Sequence, residues 1–367
     1  MTEASPQGGP PSPPLPRVRL VDVAREAGLS KTTVSAALNG TGRLSPEVRE
    51  RARETARRMG YRPNATARRL RAGRARLIGY VVGEFADAPW TFPESPYLAR
   101  LTAATAATSL RRGYAMVLLP AGSLQSEWAD LSLDAVVVAD PVADDPIVED
   151  LLAARIPVFS DRSVEGRPGA YWVDVDAGAA VRGALDHLRD QGARRPVLVV
   201  PDSTTRFHSE VYAAHRTWCA ARDLPERVVR VDGSGNGPVV RAVERALAAD
   251  PADDPAADQA RPDALLVVAE ASPPLVLDAA RRLGYEVPGD LLLVCVSEDV
   301  TAEHADPPVT TLSLRPEAIA EAGIGMLVAV LEDGDQGAAG VLVPTRLDVR
   351  ASSVRSAQPE YTSRPPT

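Results

Sequence analysis

Cysteine is scarce in this chain, and its two copies stand far apart. Cys219 and Cys295 occur in segments that predict a helix and a buried strand, without the spacing of a metal site or a disulfide framework. We therefore expect two reduced thiols in the core. His208, Glu210 and His215 lie close together in the sequence, but three such residues alone do not predict a metal site.

Long apolar runs are also missing. No segment reaches the roughly 18 apolar residues that a membrane span needs. Residues 1–16 are polar and rich in proline, without the apolar core of a secretory signal. We expect a cytoplasmic protein with no membrane contact, whose tails at residues 1–16 and 356–367 are disordered.

Catalytic motifs are absent as well. The sequence contains no Gly-x-Ser-x-Gly elbow, no P-loop and no dinucleotide fingerprint. Its one glycine-rich stretch, residues 233–237, is interpreted as lacking the strand-to-helix context of a phosphate cradle. We expect no enzyme activity, no cofactor and no metal.

Positive charge is concentrated at one end of the chain. The net charge is −8, yet residues 1–76 contain 16 Lys or Arg and six Asp or Glu. This stretch is ten charges positive, so the remainder is eighteen negative. A basic module joined to an acidic body is typical of a protein that meets phosphates with one end only.

The basic end contains a helix-turn-helix pattern. A helical pattern over residues 20–27 stops at Gly28, which accepts the positive φ of a sharp helix end. Ser30 can cap a second helix, Lys31 to Leu38, and Ser45-Pro46-Glu47 begins a third that runs to Met59 and ends at Gly60. Two short helices with this turn predict DNA binding, the second helix entering the major groove. The alternative is a helical domain that packs against protein.

This region resembles the N-terminal domain of the lactose-repressor (LacI) family of bacterial transcription regulators. The matching sequence motifs are Asp22-Val23-Ala24, Ala27-Gly28, Ser30-Lys31, Thr33-Val34-Ser35, Leu38-Asn39-Gly40 and Gly60-Tyr61-Arg62-Pro63-Asn64. The resemblance implies a DNA-binding domain at residues 17–62 and a hinge at 63–75.

The resemblance also implies which side chains face DNA. The DNA-binding set is Ser30, Lys31, Thr32, Thr33, Ser35, Ala36, Asn39, Arg43, Asn64 and Leu70. Lys31, Thr32 and Ala36 match groove-facing positions, whereas Thr33, Ser35 and Asn39 match positions that mostly hold phosphates or fix the helix against the DNA backbone. Ala36 stands where many relatives have arginine, so it offers only apolar contact to a base. Leu70 matches the hinge leucine that wedges into a central base step.

Beyond the hinge, strands alternate with helices. Apolar runs predict strands at Leu77–Val82, Ala115–Leu119, Ala135–Val138, Ile156–Phe159, Val197–Val200, Val228–Val231, Ala264–Val268 and Leu291–Val296. Helical stretches lie between several of them, at Tyr97–Arg112, Ala177–Gln191 and Leu275–Leu283. This pattern predicts an α/β core, residues 76–355, with two doubly wound parallel-sheet lobes and a cleft between them.

The core resembles the periplasmic-binding-protein-like effector and dimerisation module of the same family. The resemblance implies three crossings between lobes, near Val175, Glu303 and Val341, and an effector site in the cleft. Candidate effector-binding residues are Phe85, Trp90, Asp161, Glu270, Ser297 and Glu298. Asp161 matches an acid at the cleft mouth, and the aromatics between Glu84 and Tyr97 either stack on a ligand or pack under a loop.

The residues with which sugar-binding relatives hold hydroxyl groups are mostly replaced here. Ala269-Glu270 stands where relatives have Asn-Asp or Ser-Asp, and Cys295-Val296-Ser297-Glu298 replaces Gly-aromatic-Asp-Asp. A plain sugar is therefore doubtful as effector. We expect a homodimeric repressor of a double-stranded, pseudo-palindromic operator, controlled by an unknown small molecule. Two alternatives remain: a DNA-binding protein with an empty cleft or a non-sugar metabolite, and a solute-binding protein or enzyme fused to a DNA-binding head.

Overall fold

The computed structural model divides the chain into two compact units, Met1–Ala75 and Arg76–Thr367. The residues described are 18–61, 75–82, 95–120, 128, 131–142, 144–164, 166–203, 205–248, 261–334 and 339–355. None of the helices within these ranges is both long and apolar enough to cross a membrane. The two units are described separately, because each has its own core.

The first unit, here called the head, contains three helices around a small core. They are α1 (Leu20–Ala27), α2 (Lys31–Asn39) and α3 (Pro46–Arg58). The core is formed by Val23, Ala24, Val34, Ala37, Ala52 and Ala56. These helices confirm the predicted helix-turn-helix, with α3 ending one residue earlier than expected.

Local capping explains where the helices begin and end. Gly28 follows α1 with a φ of 62°, as expected for a residue without a Cβ. The Ser30 hydroxyl accepts a hydrogen bond from the Thr33 backbone N–H at the start of α2, and Ser45 does the same for Val48 at the start of α3. Each cap satisfies one of the backbone donors that a helix leaves unpaired in its first turn.

The second unit, here called the core unit, consists of two lobes, each built on a six-stranded sheet. The strands are β1 (Leu77–Val82), β2 (Ala115–Leu118), β3 (Ala135–Ala139), β4 (Val158–Ser160), β5 (Ala170–Asp174), β6 (Pro196–Pro201), β7 (Val228–Val231), β8 (Ala264–Val267), β9 (Leu292–Val296), β10 (Thr310–Ser313), β11 (Gly340–Leu342) and β12 (Arg346–Asp348). The helices are α4 (Pro96–Arg111), α5 (Pro146–Ala153), α6 (Ala177–Asp190), α7 (Arg206–Ala220), α8 (Asn236–Leu247), α9 (Pro273–Arg282) and α10 (Pro316–Asp333).

Strand order separates the two lobes. The first lobe has the order β11-β5-β4-β3-β1-β2, and the second has β12-β10-β9-β8-β6-β7. All pairings are parallel except that of β12 with β10, which is antiparallel at the sheet edge. The parallel two-lobed fold is therefore confirmed, with one antiparallel edge strand that the pattern did not predict.

Both faces of each sheet are buried, which explains why the central strands read as continuous apolar runs. In β3, Ala135, Val137 and Ala139 join one apolar cluster, while Val136 and Val138 join another on the opposite face. Successive residues of β8 alternate between two apolar clusters in the same way. A strand covered by helices on both faces needs apolar residues at every position.

The chain passes between the lobes three times. It does so after β5 at Val175, between β10 and α10 at residues 314–315, and between β11 and β12 at residues 343–345. The first and third crossings agree with the prediction, but the second was wrongly placed near Glu303. Glu303 lies in a short 3-10 helix that precedes β10, still within the second lobe.

Helix α10 packs so closely on the first sheet that one of its glycines is required. A Cβ at Gly323 would overlap the ring of Phe159 in β4, which is fully buried. Gly325, two residues later on α10, has only the Arg112 guanidinium near its position, at 3.9 Å. Alanine substitutions at these two glycines are therefore expected to have opposite effects on stability.

We expect Gly323→Ala to lower the free energy of unfolding by about 1–3 kcal/mol, as overpacking does. Gly325→Ala should be neutral or should raise it by up to about 1 kcal/mol, because alanine favours a helix. Urea unfolding followed by tryptophan fluorescence measures both, since all four tryptophans (Trp90, Trp128, Trp172 and Trp218) belong to the core unit. Equal effects of the two substitutions would contradict the close packing of Gly323.

Candidate DNA-binding head and inter-lobe cleft

Helix α2 presents one side to its neighbours and the other to solvent. Val34 and Ala37 are fully buried against α1 and α3. Lys31 and Thr32, at the beginning of the helix, are exposed. The N-terminal end of this helix is therefore free to meet a partner, as the recognition helix of a helix-turn-helix must be.

Several of the predicted DNA-facing side chains form hydrogen bonds with each other. The hydroxyls of Ser30 and Thr33 are 2.8 Å apart, and Asn39 Nδ2 donates to Ser35 Oγ at 3.4 Å. These contacts fix the first and last turns of α2. The predicted contacts of Thr33, Ser35 and Asn39 with the DNA backbone stay predictions.

An arginine that the sequence did not single out orders the turn after α2. Arg49 of α3 donates to the carbonyls of Gly40 and Gly42, at 3.2 and 3.3 Å. The half-buried Ala36 lies against this turn, where a Cβ at Gly42 would be 3.7 Å from the Ala36 methyl. Arg43 follows the turn and is exposed.

The positive charges of the head differ in whether they have partners. Arg57 and Arg58 form ion pairs with Glu54 and Glu26, at 2.6 and 3.0 Å. Within the described part of the head, Lys31 and Arg43 form no ion pair. Their charges are thus available to phosphates or bases. Asn64 and Leu70, predicted for the hinge, lie outside the described residues.

In the core unit, a cavity of about 360 Å³ lies between the lobes. Its wall is formed by loops that follow the carboxyl ends of strands in both sheets, including Asp140 after β3, Arg162 after β4, and Glu270 after β8. Ligands of open α/β sheets bind at this edge. The predicted cleft is therefore present.

Arg162 is the central side chain of the first-lobe wall. Its Nε donates to Asp140 Oδ1 at 3.1 Å, and its Nη1 donates to Tyr97 Oη and to the Asp161 carbonyl, both at 2.9 Å. The guanidinium lies 5.0 Å from the ring centre of Tyr97 and equally far from that of Phe207 in α7. Since α7 belongs to the second lobe, Arg162 contacts both sides of the cleft.

The environment of Arg162 keeps its charge. Burial opposes the charged form, but the surrounding Tyr97, Asp161 and Asp140 raise the pKa of Arg162 above its ordinary value. Burial raises the pKa of Asp161 to about 6 despite the neighbouring guanidinium. Asp161 is fully buried and accepts from Tyr97 Oη at 2.7 Å and from the Asp140 N–H. It therefore lies beneath the cavity wall and not at the cleft mouth, which corrects the expectation from the sequence.

Glu270 is the predicted effector residue that does line the cavity. Burial raises its pKa to about 7, although Ser95 of the first lobe acts in the opposite direction. Its Oε2 atom is buried with no hydrogen-bond partner among the described residues. Burying an unpaired carboxylate oxygen is unfavourable. A ligand with a donor group would remove this cost.

Two further candidates that the structure describes, Ser297 and Glu298, are not among the residues that line the cavity. Glu298 accepts from Ser313 Oγ and from the Leu314 N–H, at 3.0 and 2.7 Å, and pairs with Arg100 of the first lobe at 3.5 Å. Ser297 accepts from the Asp299 N–H at 3.1 Å. Both serve the loop after β9. Phe85 and Trp90 lie outside the described residues.

Comparison with known proteins decides the family. Residues 19–64 match the model of bacterial regulatory proteins of the lacI family, and residues 185–353 match the periplasmic binding protein-like domain. The HTH-type transcriptional regulator Rv3575c of Mycobacterium tuberculosis is 31% identical over 300 residues, 76% of this chain and 82% of that protein. The chain belongs to the LacI family.

Other relatives agree with this assignment over nearly the whole chain. The regulator CelR of Thermobifida fusca is 27% identical, covering 92% of this chain and 98% of the relative. Among solved structures, the lac repressor dimer bound to operator and the anti-inducer ONPF has a TM-score of 0.74 at 18% identity, covering 93% and 100% of the two chains. The CelR–cellobiose complex has a TM-score of 0.63 at 24% identity, covering 92% and 100%. As a LacI-family member, the chain is a DNA-binding transcriptional regulator.

Sequence reasoning missed Arg162, Phe207 and His208 of the cavity. Burial lowers the pKa of His208 to about 4, so it is neutral at physiological pH, and its Nδ1 lies 2.8 Å from Thr205 Oγ1. Within the described part of the chain, no group of three His, Cys, Asp or Glu side chains is arranged to hold a metal ion. The only feature of the sequence that could have indicated Arg162 is its position next to Asp161, which matches an acidic residue of the family's cleft.

The interpretation of the glycine-rich stretch was wrong. β7 ends at Val231 and α8 begins at Asn236, so this stretch does connect a strand with a helix. Gly233, Ser234 and Gly235 line the cavity. Gly235, with a φ of 82°, precedes α8 without a side-chain cap.

Lys31 is expected to read bases, because it is exposed and unpaired at the start of α2. Lys31→Ala should flatten the preference at one symmetric pair of operator positions, with about 1–3 kcal/mol of discrimination lost. Thr33→Ala should weaken binding to all sequences alike, since its hydroxyl is hydrogen-bonded within the helix. Affinities for a set of single-base operator variants measure both. If both substitutions lowered the affinity equally for every operator variant, Lys31 would contact phosphates only.

Proposed function

We propose that this LacI-family regulator is a repressor that binds a pseudo-palindromic operator as a homodimer, and that a small molecule in the inter-lobe cleft weakens this binding. The function is binding and not catalysis. The observation that carries the proposal is the exposed, unpaired N-terminal end of α2 on a packed three-helix head. This end offers Lys31 and Thr32 to base edges.

The cleft supplies a means of control. Arg162 contacts Phe207 across it, and Glu270 of the second lobe and Ser95 of the first line the same cavity. A ligand among these groups would replace contacts between the lobes and so favour one lobe arrangement over another. It shifts DNA binding only by its difference in affinity for the two arrangements.

The relatives support the dimer and the ligand by analogy. One structural neighbour is a lac repressor dimer on its operator, and another is a regulator in complex with cellobiose. In this chain the second-lobe groups that would bind a sugar are replaced, as Ala269 and Glu270 illustrate. We therefore propose for this chain the operator-binding dimer and the ligand-binding cleft of these relatives, but not a sugar as the ligand.

Selection from a random double-stranded DNA pool with the purified full-length protein tests the proposal. We expect enrichment of an inverted repeat whose half-sites are protected together, with two chains per site by light scattering of the complex. Enrichment of an asymmetric site bound by one chain would refute the dimer. No enrichment over the starting pool would refute sequence-specific binding.

A further inference from the structure

The charges in the wall of the inter-lobe cavity are not balanced evenly. Arg162, the only cation among the described residues that line it, donates its hydrogen bonds to Asp140, Tyr97 and the Asp161 carbonyl. Asp202, at the exposed rim, pairs with Arg230 at 3.1 Å. Glu270 has a buried Oε2 atom with no hydrogen-bond partner among the described residues.

Within the described ranges, no Lys or Arg side chain forms an ion pair with Glu270. Lys31 is the only lysine of the chain and belongs to the head. The Arg162 guanidinium is already surrounded by Asp140, Asp161 and Asp174, at 3.1, 3.4 and 3.9 Å. Among the described residues nothing completes Glu270, and a bound ligand with a donor group would do so.

The rest of the cavity is mainly apolar. Phe207, Val231, Val239, Val268, Val296 and Leu314 contribute to its lining. A volume of about 360 Å³ is near the lower end for small-molecule sites. An occupant is therefore small, with an apolar body and few polar groups.

We infer that the cleft binds a small organic cation, a protonated amine on an apolar body, whose ammonium group donates to Glu270. This inference rests on the proposed function, because it names the ligand class of the same cleft. An ammonium supplies the donor that Oε2 lacks, and a charge-assisted hydrogen bond is the strong kind.

The protonation state of Glu270 predicts how the affinity for the amine depends on pH. Burial raises its pKa to about 7, with Ser95, Asp140, Arg162 and Glu298 as the other groups that act on it, while His208 stays neutral. The ammonium requires the carboxylate, which is about one-tenth ionised at pH 6 and about nine-tenths at pH 8. Amines remain protonated over this range. Affinity should therefore rise about tenfold between these pH values, with release of a proton.

Calorimetric titration of the full-length protein tests the inference with three matched probes: 2-phenylethylamine, 2-phenylethanol and phenylacetate. We expect the amine to bind about tenfold or more tightly than the alcohol, the margin of a charge-assisted hydrogen bond. Phenylacetate is included because the uncapped start of α8 would favour an anion. The inference would be overturned if the amine bound no more tightly than the alcohol or the acid. It would also be overturned if none of the three probes bound.

Two variants separate the contact from general effects. Glu270→Gln should remove the advantage of the amine and its pH dependence, while Glu244→Gln, at a surface ion pair with Arg282, should change neither. Glucose and cellobiose form a further arm. If a sugar binds and weakens operator binding while the amine does not, the ligand class is wrong and the proposed control by the cleft stands. If the amine binds in the cleft but operator affinity is unchanged, the proposed control fails and the ligand class stands.

Discussion

Replacing Arg162 by leucine is expected to destabilise the core unit more than any surface substitution. The change removes the one cation shared by Asp140 and Asp161, which are both buried, and by the nearby Asp174. Removing one partner of a buried ion pair costs about 3–5 kcal/mol, because the remaining charges stay desolvated. Urea unfolding followed by tryptophan fluorescence measures the loss.

The pH dependence of this loss identifies its cause. Burial raises the pKa of Asp161 and the Arg162 guanidinium lowers it, so without Arg162 this carboxyl would stay protonated in the folded state up to higher pH. The variant should therefore lose most stability at pH 8 and less at pH 5. Arg230→Leu is the matched control, since its pair with Asp202 is exposed and such pairs contribute up to about 1 kcal/mol. A loss of equal size for both variants would contradict the central place of Arg162.

Replacing Glu270 by glutamine is expected to stabilise the protein at high pH. Burial raises the pKa of Glu270 from its ordinary 4.5 to about 7. The folded state thus holds this proton more tightly than the unfolded state, so stability decreases as pH rises from about 4.5 to 7. A shift of this size corresponds to roughly 3 kcal/mol at pH 8, by order of magnitude.

Glutamine does not ionise, so Glu270→Gln should gain that amount at pH 8 and nothing at pH 4.5. The measurement is the difference in free energy of unfolding between variant and wild type across this range. Glu244→Gln should show no such trend, because its carboxyl is at an exposed ion pair. A gain that does not vary with pH would mean that ionisation of Glu270 is not what destabilises the native cleft.

The head could be predicted from the sequence because its determinants are local. Gly28, Ser30 and Ser45 each act on the backbone within three or four residues, so their spacing defines where helices end and begin. The central strands were predicted for a related reason: burial on both faces requires continuous apolar runs such as Ala135–Ala139.

Four strands were missed because they do not show this signal. β10 has the sequence Thr-Thr-Leu-Ser and is fully buried, with Thr310 satisfied by Ser352, Ser353 and Arg350. β11 and β12 have three residues each and lie at sheet edges. β5, Ala170–Asp174, mixes aromatic and polar residues.

The cleft could be predicted only in part. The place of the cleft and of Glu270 followed from the strand pattern and the family resemblance. The network around Arg162 did not, because Tyr97 comes from the first turn of α4, and Asp140 and Asp161 come from the loops after β3 and β4. Only the folded sheet brings their side chains within hydrogen-bonding distance of one guanidinium.

The central claim is that α2 gives this protein sequence-specific DNA binding. Its most direct test is the ratio of affinities for the selected operator and for a scrambled duplex of the same length, measured by fluorescence anisotropy at fixed physiological salt. The account predicts a ratio of about 10³ or more for the wild type and a clearly smaller one for Lys31→Ala. A wild-type ratio near one, at any salt concentration that permits binding, would contradict it.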